Sequence, residues 1–127
     1  MDVTSGQWRI DAMKVLKLSD LSGEESASTL FRGRVVLQPV TGGEDQPLMV
    51  NVVNFDQGAV NVFHTHATDQ VLYVIDGTGI VATEQEEVRV TPGTFIIIPA
   101  GEKHWHGAIK GDKFSHISIR MQGETLV

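Results

Sequence analysis

The chain has 127 residues, enough for one domain around one core. Hydrophobic residues make up 41% and charged residues 20%, the balance of a soluble globular protein and not of a disordered one. The net charge of −6 offers no basic footprint for a nucleic-acid backbone, and the absence of cysteine excludes disulfides and thiolate metal sites.

Residues 1–16 mix charged and apolar side chains without a continuous apolar run. Neither a signal peptide nor a membrane span is expected there, and the cytoplasm is the expected location. Residues 1–29 are the least patterned part of the chain and are read as an N-terminal extension. A strand such as Trp8–Val15 within it is a candidate for exchange between subunits. Ser19–Ser28 is small and polar, which suits a surface loop or one short helical turn.

The domain proper is expected over residues 30–127. From Leu30 the chain reads as short strands rich in Val, Ile, Phe and Thr. The predicted strands are 30–38, 47–55, 59–66, 70–75, 79–83, 87–90, 94–98, 104–109 and 113–121. Turn residues separate them, as at Asp56-Gln57-Gly58, Asp76-Gly77-Thr78-Gly79 and Thr91-Pro92-Gly93. No segment sustains a helical period, so an all-β sandwich or closed barrel is predicted. Strand 113–121 shows the two-residue alternation, with Phe114, His116, Ser118 and Arg120 on one face and Ser115, Ile117, Ile119 and Met121 on the other.

Four of the five histidines fall in two tight pairs, His64/His66 and His104/His106, and His116 follows on the next strand. Two residues apart on a strand, His64 and His66 point the same way and can reach one ion. Gln70 has the same parity, and its amide oxygen is a usable ligand. His104 lies on a distant strand, behind the turn Pro99-Ala100-Gly101, that a barrel would bring alongside. A ligand set without thiolate suits Mn²⁺, Fe²⁺, Co²⁺, Ni²⁺ or Zn²⁺.

These residues carry a resemblance to the cupin family. Gly58, His64, His66, Gln70 and Gly77 fit the first cupin motif, Gly-x5-His-x-His-x3-Glu-x6-Gly, with Gln at the Glu position. Gly93, Pro99, Gly101 and His104 fit the second, Gly-x5-Pro-x-Gly-x2-His-x3-Asn, with Ala108 at the final Asn position. The fold that the resemblance implies is the cupin double-stranded β-helix, a jelly-roll barrel. His64-Thr65-His66 with Gln70, followed by Gly101–Ala108, looks most like the small manganese-dependent cupins that act as hydroxynitrile lyases. That likeness implies one divalent metal per chain, Mn²⁺ by preference, held by His64, His66, Gln70 and His104, with His116 as the acid–base residue. It also implies a homodimer. Replacing Glu by Gln leaves the ion's charge uncompensated by its ligands, which favours anions or oxygens that develop negative charge.

His106, Arg120, Met49 and Tyr73 are the candidates for the pocket wall around a small-molecule substrate. His106 shares the parity of His104 and is expected at the rim or behind a ligand. Arg120 could hold a substrate carboxylate, although a strand-end Arg is more often a surface charge. Trp105 is expected to face away from His104 and His106, and Phe63 and Phe95 to fill core or pocket wall. The leading reading is a metal-dependent lyase acting on a small hydroxy or carbonyl compound. A cupin dioxygenase or isomerase, and a non-catalytic module that binds a metabolite or metal, remain open beside it.

Overall fold

The computed structural model describes residues 2–4, 7–10, 13–41 and 46–127. In chain order the strands are β1 (Asp2–Thr4), β2 (Gln7–Ile10), β3 (Met13–Leu16), β4 (Glu24–Glu25), β5 (Phe31–Arg32), β6 (Val35–Pro39), β7 (Leu48–Phe55) and β8 (Val60–Asn61). There follow β9 (Thr65–His66), β10 (Gln70–Gly77), β11 (Gly79–Ala82), β12 (Glu87–Val90), β13 (Phe95–Ile98), β14 (Trp105–Ala108), β15 (Phe114–Met121) and β16 (Thr125–Leu126). A single 3₁₀ turn, Leu18–Asp20, is the only helical element among the described residues.

Two antiparallel sheets form the barrel. One has six strands in the order β13-β10-β15-β7-β6-β4, the other five in the order β12-β11-β14-β8-β5. Their inner faces meet in a core of Val35, Val53, Phe55, Val74 and Phe114 from the first sheet with Val90 and Ala108 from the second. The Phe55 and Phe114 rings stack at 5.8 Å.

The inward face of the six-stranded sheet changes character along its length. Register pairs Phe114 with Phe55, His116 with Val53, Ser118 with Asn51, and Arg120 with Met49. On the other side of β15, His116 opposes Val74, Ser118 opposes Leu72, and Arg120 opposes Gln70. One end of the barrel is therefore apolar core, and the other is polar. The alternation predicted for 113–121 is present, because a side-chain period of two leaves no other way to bury Phe114 and His116 together.

Two long predicted strands are broken. The stretch 30–38 divides at Gly33, whose φ of 93° turns the chain between β5 and β6. The stretch 59–66 changes partners as it runs: β8 pairs with β14 and β5, His64 pairs with His104, and β9 pairs with β16. Trp8–Val15 is not one strand, since Trp8 lies opposite Val15 in the β2–β3 hairpin. The strands β4 and β16 were not anticipated.

Two glycines carry close approaches. Gly77 has φ of 71°, and a Cβ there would collide with the Lys113 carbonyl. At Gly107 a Cβ would stand 2.5 Å from the Val60 Cα, so β14 and β8 meet only because no side chain intervenes.

Candidate metal centre

Main-chain hydrogen bonds join the two histidine motifs. His64 N–H donates to the His104 carbonyl at 2.9 Å, and His104 N–H donates back to the His64 carbonyl at 3.1 Å. The Gly101 N–H adds a bond to the His66 carbonyl at 3.0 Å, and the Ala100 N–H donates to Asp69 Oδ1 at 2.8 Å. This bridge brings the His64 and His104 rings to 4.2 Å between centroids, with His66 4.8 Å from His64 and 5.5 Å from His104.

Each of the three rings is oriented by an oxygen at Nδ1. His64 Nδ1 lies 2.7 Å from the Val62 carbonyl, His104 Nδ1 2.8 Å from the Glu102 carbonyl, and His66 Nδ1 2.9 Å from the Thr125 hydroxyl. A carbonyl only accepts, so at His64 and His104 the proton sits on Nδ1 and the lone pair on Nε2. Nε2 of His66 and of His104 are buried without a hydrogen-bond partner. Gln70 completes the pattern. Its amide nitrogen donates to Ser118 Oγ at 2.9 Å, while its Oε1 is buried and unpartnered. Buried polar atoms without partners are costly, and a cation facing these lone pairs would relieve the cost.

A second grouping overlaps this one. His64, His104 and His106, all buried, offer ring nitrogens within 4.8 Å of one another, close enough to hold a metal ion. His106, however, already has company: its Nδ1 lies 3.1 Å from His116 Nε2, and the Asn61 amide nitrogen is 3.3 Å from its Nε2. The Asn61 carbonyl oxygen accepts the His106 backbone N–H at 2.8 Å.

A cavity of about 210 Å³ opens beside these groups. His64, His66, Gln70, His106, His116 and Arg120 all reach it. Its volume lies below the roughly 300–1,000 Å³ usual for drug-sized ligands, so it suits a small molecule.

Residues 51–119 match the cupin domain family, which is more than half of the chain. The chain belongs to the cupin family. It is 30% identical to (R)-mandelonitrile lyase of Granulicella tundricola over 118 residues, covering 90% of each chain. It is also 29% identical to acireductone dioxygenase of Microcystis aeruginosa over 121 residues, spanning 83% of this chain and 66% of that one. Among solved structures, a cupin-like protein from Thermotoga maritima superposes with a TM-score of 0.77 at 28% identity, covering 81% of this chain and 82% of that one.

In this cupin, burial keeps the histidines neutral. Desolvation pulls His64 down to about 4, partly offset by the Val62 carbonyl. His66 also falls to about 4 by desolvation, with the nearby charges of His64 and Arg120 adding and the Gln70 side chain opposing. His116 is pushed to about 3, and His106 well below its ordinary value, again chiefly by burial. Neutral imidazoles at pH 7 are the form a metal ion needs.

Two expected pocket residues lie elsewhere. Tyr73 is on the outer face of β10, between the buried Leu72 and Val74, and its ring packs 4.5 Å from Phe95. Phe95 itself is 66% exposed on the outside of β13, not in the core. Met49 sits opposite Arg120 at the cavity's end of β7 and is not part of the cavity wall. Trp105 lines an outer groove together with Val62 and Phe63 and is not part of the cavity wall. Ser118, Thr125 and Asn61 were missed as site residues. Ser118 shared the inward parity of His116 and was legible to that extent, whereas Thr125 lies outside every predicted strand.

Proposed function

We propose that this cupin is a metal-dependent lyase of the hydroxynitrile lyase type, with His64, His66, Gln70 and His104 as the ligands. One observation carries the metal site: His66 Nε2, His104 Nε2 and Gln70 Oε1 are buried, unpartnered and backed by hydrogen bonds that fix their direction. His106 is the weaker candidate, because His116 and Asn61 already engage its nitrogens. Resemblance favours Mn²⁺ among the ions that nitrogen and oxygen donors suit. A divalent ion bound there would supply Lewis-acid polarisation of a substrate oxygen.

His116 is the proposed acid–base residue. It lines the cavity, burial keeps it neutral at pH 7, and one hydrogen bond joins its Nε2 to His106 Nδ1 at 3.1 Å, which leaves its Nδ1 buried without a partner. In cyanohydrin cleavage the hydroxyl proton must leave as the carbonyl forms, and cyanide departs with the bonding electrons. His116 would accept that proton and return it to cyanide. The mandelonitrile lyase likeness over 90% of both chains supports this reaction over the alternatives.

The test is metal analysis of protein purified without added metal, followed by mandelonitrile cleavage read as benzaldehyde absorbance. Metal-loaded protein should turn over above background, and His116→Ala should lower kcat by about 10²-fold with metal content unchanged. Background rates in the loaded protein would end the lyase reading. The acireductone dioxygenase relatives support a second reading, an oxygen-consuming reaction on an enediol, for which oxygen uptake is the assay.

A homodimer through the outer face of the six-stranded sheet is part of the proposal. Ile97, Val71, Ile119 and Val50 form one cross-strand row there, and Phe95, Tyr73 and Ile117 the next. A sheet face left in water normally carries polar residues, and a second copy of the same apolar face would cover this one. The strands β1, β2 and β3 pair only with one another among the described residues, so any exchange between subunits would move that whole small sheet. No helix among the described residues is long and apolar enough to cross a membrane; the cytoplasm is the proposed location.

A further inference from the structure

Among the described residues, Arg120 is the one cationic side chain on the cavity wall, and no Asp or Glu lines that cavity. The other polar groups there are neutral: Ser26, Ser28, Asn51, Asn61, Ser118 and Thr125, besides the histidines and Gln70. The guanidinium donates to the backbone carbonyls of Met121 at 3.3 Å and Gly123 at 3.5 Å. Among the described residues it has no carboxylate within ion-pair distance.

Its cross-strand neighbour is informative. Arg120 on β15 lies directly opposite Gln70 on β10. Side chains so paired have Cβ atoms about 4.5–5.5 Å apart. A Glu at position 70 would give the guanidinium an internal counter-ion. The amide found there gives it none, so the charge is left for something that enters the cavity. A guanidinium in a partly dry site prefers a planar carboxylate, which it can grip through two parallel N–H bonds.

We propose that the natural substrate is a small hydroxy or oxo acid whose carboxylate is held by Arg120 beside the reacting oxygen. This rests on the reading of the His64–Gln70 wall as the reacting centre, and it narrows the substrate from any cyanohydrin or carbonyl compound to an anionic one. Mandelonitrile, having no carboxylate, would use only part of the cavity.

Binding of matched acid and amide pairs tests the assignment. Lactate against lactamide and mandelate against mandelamide differ in charge far more than in shape. Calorimetric titrations at pH 7 are run on the full chain, both chelator-treated and Mn²⁺-loaded. In chelated wild type at least one acid should bind about 10- to 100-fold more tightly than its amide. Arg120→Gln should abolish that preference without weakening the amide, Arg120→Lys should keep part of it, and Gln70→Glu should reduce it by supplying an internal partner. Thermal melts confirm that each variant is folded. The proposal is overturned if neither acid outbinds its amide in the chelated wild type, or if the preference survives in Arg120→Gln. Absence of mandelonitrile turnover with the Arg120-dependent preference intact would remove the lyase reaction and leave the carboxylate site standing.

Discussion

The imidazoles of this cupin are buried as neutral bases, and that has a cost in acid. An unfolded histidine titrates near 6.5, while His64 and His66 in the fold titrate near 4 and His116 near 3. Between those limits the unfolded chain binds protons that the native chain does not, so stability falls as pH falls from about 6.5 and stops falling below about 3. At pH 5 His64 alone removes about 2 kcal/mol. Chelated protein is expected to melt about 10 °C or more lower at pH 5 than at pH 7; equal melting temperatures would mean the rings are solvated. Ser118 offers a second test at the same scale. Ser118→Ala removes the acceptor that aims the Gln70 amide, and metal affinity should fall by about 10- to 100-fold, measured by competition with a chelator. The convergence of the three histidines and Gln70 was legible because motif spacing and strand parity fix which way they point; that they act as ligands is the proposal. Tyr73 was misjudged because one face of β10 looks as apolar as the other in sequence, and only the pairing with Phe95 on the outside separates them.

At the level of the strand, the long pieces were readable and the short ones were not. Segments β7, β10 and β15 carry enough Val, Ile and alternating polar residues to declare themselves. By contrast β8, β9 and β16 are two residues each, and their pairing is set by distant chain, not by local preference. The polar gradient along the inner sheet face follows from register, which no single strand reveals. Gly107 shows the same limit, since nothing local says that Val60 will press against it. Gly107→Val should force β14 from β8 and destabilise the fold by about 3 kcal/mol or more, read from urea midpoints. A variant with unchanged midpoint would show that the two strands can separate freely. Because His106 adjoins Gly107, the same variant should weaken the His106–His116 contact.

The whole molecule divides its labour between two faces of one sheet. Inside, the six-stranded sheet supplies Gln70, His116, Ser118 and Arg120 to the cavity; outside, it presents apolar rows without described cover. Ile97 is 73% exposed at the edge-strand end of such a row, and Ile97→Glu places a charge there without touching the cavity. Sedimentation should find the wild type as a dimer and Ile97→Glu as a monomer, with metal content unchanged; a monomeric wild type would remove the dimer. The all-β class and the two-motif barrel were legible from turn spacing and motif frames. The residues 1–16 were not, because a Trp8–Val15 strand and the β2–β3 hairpin read alike until the pairing of Trp8 with Val15 is known.

The bridge between His64 and His104 is made of peptide groups alone, and it is indifferent to what hangs from the two Cα atoms. Side chains can thus be changed at those positions while the backbone frame stays put, and only the Nδ1 bonds to the Val62 and Glu102 carbonyls leave with the imidazoles. His64→Asp or His104→Glu should accordingly leave a folded barrel with altered ion preference, read from melting curves and competition between metal ions.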